Sequence, residues 1–242
     1  MIRAIAASHY LHPVREDEAL PSLDTALQPL CREHFRRIDR FIQLALLGSA
    51  RCVAGHRLAV DCGLYLGSGL GPMSNNISTQ EQLIRDHLTP KPFNFINTLG
   101  NSAGYYVAKN LGLSGPNLFI SRRGASFQAA LETALVDLEC GTSRQALVGV
   151  VEEVTLPLAA HRRRQGLSVD TVVAEGSHWL LLETDAVTGH RLERRQALRH
   201  ESEMLDVPAF HDSIAAAGVT ENVSKGGEAV LADGWTLFHF RP

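Results

Sequence analysis

The chain has 242 residues, 45% of them apolar and 20% charged, and carries a net charge of −3. That length and apolar content can bury one sizeable core and predict a single domain over residues 1–242. The slightly acidic balance, with pI ≈ 6.4, excludes the global basic footprint of a nucleic-acid binder. No stretch approaches the ~20 apolar residues of a membrane-spanning helix, and the apolar run at residues 1–8 is too brief for a secretory signal. Cys31, Cys52, Cys62 and Cys140 share no CxxC-type spacing, so reduced thiols in a cytoplasmic protein are expected.

In chain order, residues 2–11 are β-leaning and predict a first strand, after which Pro13, Pro21 and Pro29 keep the chain irregular. Residues 33–53 place Phe35, Ile38, Phe41, Ile42, Leu44, Ala45 and Leu47 on a broad helical stripe. A second strand is expected over 58–66, with Gly67, Gly69 and Gly71 in its turn. Ser78 and Glu81 form a capping-box pattern that predicts a helix to about residue 88, ended by Pro90 and Pro92. The next helix is expected over 95–111, stopped by Gly112 and Pro116. Then come a strand at 117–121, a helix at 125–139 capped by Gly141, a fully apolar strand at 146–151, and a partner strand at 179–183. Beyond Glu183 the signal decays: residues 193–197 are polar, and residues 223–240 can form a terminal hairpin around Asp233-Gly234. Alternating strands and helices with buried central strands define an α/β layered architecture.

The chemistry-bearing stretch runs from Gly115 to Glu153. A strand that feeds directly into a buried helix makes a sharp elbow, and acyl-transfer enzymes place a serine or cysteine there. Here that position is Gly124, preceded by Arg122 and Arg123 and followed by Ser126. A glycine has no side chain with which to attack a thioester.

The ordered set of motifs resembles the N-terminal half of a β-ketoacyl synthase of the thiolase superfamily. Leu64-Tyr-Leu-Gly-Ser-Gly-Leu-Gly-Pro72 is similar to that family's strand and glycine turn. Pro92-Phe-Asn-Phe95 and Asn101-Ser-Ala-Gly104 resemble the segment before its elbow, Gly112-Leu-Ser-Gly-Pro116 its Gly-Leu-x-Gly-Pro, and Ala174-Glu-Gly-Ser-His-Trp-Leu-Leu-Leu-Glu183 its Gly-Glu-Gly-Ala strand. The match covers about residues 60–185, leaving 186–242 as a divergent extension. The cysteine is missing, and so are the two histidine motifs of the family's second half. The chain therefore looks most like a truncated chain length factor of the aryl polyene type. The resemblance implies a layered thiolase-like half, a mixed sheet with covering helices and no full second half. It also implies a non-catalytic subunit that heterodimerises with an active β-ketoacyl-ACP synthase and shapes its acyl pocket, meeting acyl carrier protein indirectly and using no cofactor. The helix after Gly124, thin-sided at Ala125, Ala129, Ala130 and Ala134 as a helix packed between two sheets needs to be, would then lack its usual cover unless the terminal segment or a partner supplies it. Phe93, Asn94, Phe95 and Thr98 align with the segment that in the family crosses the dimer interface, with Phe95 expected in the core either way.

Other residues admit more than one reading. Arg122 and Arg123 either fill or alter a vestigial pocket, pair with carboxylates across a subunit boundary, or make ordinary surface contacts. Ser126 or His178 could serve a residual acyltransferase or decarboxylase, but a substitute nucleophile needs a base within hydrogen-bond reach, and a helix-entry serine and a structural strand histidine are the plainer readings; a carrier-protein or lipid-binding module without a ketosynthase partner is the third alternative. The run His161-Arg162-Arg163-Arg164 could steer an acidic carrier protein or be a solvated loop. Gly67, Gly69 and Gly71 suggest a phosphate cradle, yet no Lys-Ser/Thr follows. The histidines lack metal-ligand spacing.

Overall fold

In the computed structural model, residues 1–16, 18–196, 209–232 and 236–242 are described. Eight strands form one mixed sheet in the order β3-β2-β4-β5-β1-β6-β8-β7. They are β1 (Ile2–Val14), β2 (Gly63–Gly67), β3 (Asn117–Ile120), β4 (Gln145–Glu152), β5 (Val173–Thr184), β6 (His190–Gln196), β7 (Ala229–Ala232) and β8 (Thr236–Arg241). Strand β2 runs parallel to β3 and β4, and the remaining pairings are antiparallel. Helices α1 (Asp24–Leu27), α2 (Arg40–Cys52), α3 (Met73–Gln80), α4 (Pro92–Asn97), α5 (Asn101–Leu111), α6 (Ser126–Glu139), α7 (Leu158–Gln165) and α8 (Ala209–Ser224) complete the chain.

The period-2 alternation of strand side chains divides the core into two clusters. Leu64, Leu66, Leu147, Val151, Trp179 and Leu181 face α2 and α5. Tyr65, Ala146, Val148, Val150, Leu180 and Leu182 face α6 and α8. Strand β4 is buried along its whole length because both faces are covered. Trp179 is seated where two strand and helix backbones can approach it: a Cβ on Gly48 of α2 or on Gly149 of β4 would overlap its indole. Its Nε1 donates to Ser177 Oγ at 2.9 Å, and that hydroxyl donates to the Leu44 carbonyl at 2.6 Å.

Strands β3 and β4 form where the sequence places them, β1 runs on through Pro13 to Val14, β5 starts at Val173 rather than at residue 179, and Gly112 (φ +74) and Gly141 (φ +76) adopt the left-handed conformation expected of helix C-caps. Several expectations need correction. Helix α2 begins at Arg40 rather than near residue 33: Asp39 is extended and its Oδ1 accepts the Ile42 N–H at 2.9 Å, while Arg37 sits at φ +59. Phe35 and Ile38 still pack on the core, but from a loop. Strand β2 starts only at Gly63. The Ser78 capping box does not form, because the helix has already started at Met73, where Glu153 Oε1 accepts the Ser74 N–H at 2.6 Å, and it continues into a π-turn over Glu81–Arg85. The helix expected over 95–111 is two helices, broken at residues 98–100, where Asn76 Nδ2 donates to the Thr98 carbonyl at 3.3 Å and Gly100 lies against the Phe119 ring.

The C-terminal extension holds β6 and α8, neither of which was expected. The terminal hairpin is confined to β7 and β8; its expected turn at Asp233-Gly234, like Ala197, lies outside the described residues. Ala216, Val219 and Val223 of α8 join Phe127, Ala130, Leu131 and Ala134 of α6 in one cluster, with Phe238 and Phe240 of β8. The chain thus covers this face with its own extension. Helix α6 rests on one sheet, with Val136 turned outward, rather than between two.

Candidate functional site

The elbow forms where β3 ends at Ile120 and a 3-10 turn over Arg123–Ala125 leads into α6. Its close approach to the sheet requires Gly67, where a Cβ would lie 2.7 Å from the Ser126 carbonyl oxygen. The positive backbone angle falls on Arg123 (φ +49), and Gly124 is not in that region. A bulky residue there is a local strain point, and the strained apex is where an elbow presents its nucleophile. The positive angle thus falls one residue before Gly124, which is buried behind Arg123. The Arg122 and Arg123 side chains are exposed, so neither fills a buried pocket.

Ser126 is fully buried. Its Oγ accepts the Arg122 N–H at 3.0 Å and donates to the Arg123 carbonyl at 2.5 Å. The hydroxyl is a clamp that closes the elbow. His178 lies on β5 opposite Val150, which in turn lies opposite Gly67 under the start of α6. Two strand spacings, about 10 Å, therefore separate His178 from that start. Burial and, second, the neighbouring His9 push its pKa down to about 3. Ser126 and His178 are not brought together as nucleophile and base.

The glycine turn binds an anion from within the chain. The Glu152 carboxylate accepts from Ser68 Oγ at 3.2 Å, from the Leu70 N–H at 3.3 Å and from the Gly69 N–H, while Ser68 Oγ accepts the Gly71 N–H at 2.8 Å. The cradle is real, and its occupant is Glu152. The basic run on α7 is also largely used internally: Arg162 pairs with Glu16 at 2.8 Å and donates to the Thr171 carbonyl, Arg164 donates to Thr155 Oγ1, and His161 is buried beside Thr155.

The segment expected at a partner interface is open. Phe95 is 61% exposed, correcting its expected place in the core, and Phe93 is exposed beneath the Arg37 guanidinium, 5.0 Å above its ring. Asn94 and Thr98 are half-buried. The Asn94 carbonyl accepts from Asn75 Nδ2 at 2.5 Å, and Thr98 Oγ1 donates to the Phe95 carbonyl at 2.7 Å. Leu83, Ile84, Leu88, Ile96, Leu99 and Tyr105 are exposed in the same stretch, and Leu118 is exposed on the edge strand β3.

A group of buried acids was missed by sequence reasoning. Glu175 is wholly buried and gripped by both arms of Arg40, with Nε 3.0 Å from Oε2 and Nη2 on Oε1; Tyr10 OH donates to it at 3.4 Å. Glu153 and Asp39 each have one oxygen on a helix N-terminus and the other buried without a hydrogen-bond partner. Burial raises Asp39 to about 6 and Glu153 to about 8, with the Asp39 charge adding to the latter. The visible signal was Glu152-Glu153 at the end of an otherwise apolar strand.

The sequence profile of the β-ketoacyl synthase N-terminal domain matches residues 11–172. The chain belongs to that family, and its fold is thiolase-like. In structure it is similar to the ishigamide ketosynthase/chain length factor, at 16% identity and TM-score 0.71 over 99% of both chains. It is likewise similar to the ketosynthase ApeO in complex with its chain length factor ApeC from Xenorhabdus doucetiae, at 16% identity and TM-score 0.61 over 98% of this chain and 100% of that one. A β-ketoacyl synthase from Burkholderia phymatum STM815 matches at 15% identity and TM-score 0.62, over 89% of this chain and 70% of that one. No curated protein matches in sequence.

Proposed function

We propose that this chain is a non-catalytic ketosynthase-like subunit, a chain length factor, that heterodimerises with an active β-ketoacyl-ACP synthase and shapes its acyl pocket during aryl polyene or polyketide-type elongation. The observation that carries the reading is the elbow. At its turn Arg123 takes the positive backbone angle and Gly124 follows, and the nearby Ser126 hydroxyl is held by two local hydrogen bonds, to the Arg122 N–H and the Arg123 carbonyl. Gly124 offers no side chain for attack and the Ser126 hydroxyl is committed to backbone groups, which supports the reading. Decarboxylative condensation of a malonyl-carrier protein with the growing chain would belong to the partner.

The exposed apolar side chains of residues 83–105 support a partner role, because large apolar patches on soluble proteins commonly mark binding surfaces. Phe93, Asn94, Phe95 and Thr98 are our candidates for the partner interface, together with the edge of β3. Similarity along nearly the whole length of the ishigamide and ApeO/ApeC structures agrees with this reading. A cytoplasmic setting goes with it; among the described residues, no helix is long and apolar enough to cross a membrane.

The test is chemical. The isolated chain incubated with acyl-carrier substrates should form no acyl-protein adduct, and Arg123→Cys or Gly124→Cys should restore no condensation, since a thiol alone lacks its activating histidines. An adduct on the unmodified chain would overturn the reading.

A further inference from the structure

Between α1, the first turn of α2 and the loop over residues 31–38 lies a groove of about 820 Å³, separate from the elbow. That volume is in the range of small-molecule sites. Its floor is apolar, formed by Leu27, Cys31, Phe35 and Ile38, while Arg32, Arg36 and Arg37 with His34 stand exposed around it. Among the described residues, none of these three arginines makes an ion pair. The acids in the lining are already engaged: Glu33 is bound to Lys109 at 2.8 Å, and Asp24 accepts from Gln43 Nε2 at 3.2 Å.

The loop that carries the arginines is held at both ends by buried amides. Asn110 of α5 accepts the Arg32 N–H at 2.8 Å and donates to the Leu30 carbonyl at 3.1 Å, and Asn97 of α4 donates to the Arg37 carbonyl at 2.9 Å. Three like charges on one short loop repel each other, and the hydrogen bonds from the two buried amides hold the loop in place against that repulsion. The result is a preformed cationic rim over an apolar floor.

We propose that this groove binds an amphipathic anion, an alkyl or acyl chain ending in a carboxylate or phosphate. The chain would lie on Leu27, Phe35 and Ile38. The head group would take the planar donor forks of Arg32 and Arg36, which suit both oxyanions. The inference stands independently of any ketosynthase partner.

The test uses the full chain with decanoate and decyl phosphate as probes and 1-decanol as the uncharged control, each followed by calorimetry. A second readout is the rate of Cys31 alkylation, measured in a Cys140→Ser background. We expect saturable one-to-one binding of at least one anion, at least about tenfold weaker binding of decanol, and slowed alkylation of Cys31. Arg32→Ala combined with Arg36→Ala should weaken the anion by about tenfold or more, the scale of losing charge-assisted hydrogen bonds; Arg36→Glu alone gives the same reading if the double variant folds poorly. Preference for one head group identifies it and supports the proposal. Equal binding of decanol, an unchanged affinity in the arginine variants, or no saturable binding of either anion would overturn it.

Discussion

The face of the sheet under α6 and α8 and the segment from Leu83 to Tyr105 end in opposite ways. On the first, the helix after Gly124 was expected to lack its usual cover unless the terminal segment or a partner supplied it, and the terminal segment joins it through α8 and the β7-β8 hairpin, burying Ala216, Val219, Phe238 and Phe240. The second places Ile84 at 69% and Phe95 at 61% exposure beside an unpaired β3 edge. The exposed apolar side chains, not the face closed by the added helix, are therefore where we propose the partner binds.

That contrast can be broken in order of expected effect. Phe95→Asp combined with Ile96→Asp should weaken association with the ketosynthase about 100-fold or more, measured by interferometry, while leaving the melting temperature of the isolated chain nearly unchanged. Within the closed region the reverse holds: Gly149→Ala drives a methyl into the Trp179 ring and should cost about 2–3 kcal/mol in urea unfolding.

The buried acids give a pH test. Because the folded Glu153 pKa is raised from 4.5 to about 8, the folded state binds the proton more tightly than the unfolded chain. Its contribution to stability is full below 4.5 and is lost as pH rises through about 8. Glu153→Gln keeps an oxygen for the Ser74 N–H and should be the more stable form at pH 9 by at least about 1 kcal/mol, with the difference shrinking toward pH 5. The smallest effect is expected at the elbow. Ser126→Ala should cost about 1 kcal/mol for the lost clamp, with ketosynthase binding and product unchanged.

What the sequence could reveal follows from the range of the interactions. Strands β3 and β4 and the αL caps at Gly112 and Gly141 are set by local chemistry and were legible. The start of α3 was not, since Glu153, 79 residues away, supplies the acceptor for its first turn. The acid group of Asp39, Glu153 and Glu175 is likewise assembled from three distant segments. The elbow was legible as a strand-to-helix turn with glycine at the expected nucleophile position, whereas the positive backbone angle at Arg123 was not, because nothing in the residue type announces it. Helix α8 was hidden by a decaying periodicity, its burial being decided by the far side of the sheet.

The central claim is tested most directly by co-expressing the chain with an active β-ketoacyl-ACP synthase from the same source, followed by size-resolved purification and product analysis. The account predicts a one-to-one heterodimer whose product distribution changes when this subunit is removed or when Phe93 and Phe95 are made small. A stable monomer that ignores the ketosynthase, with products identical in its absence, would contradict it.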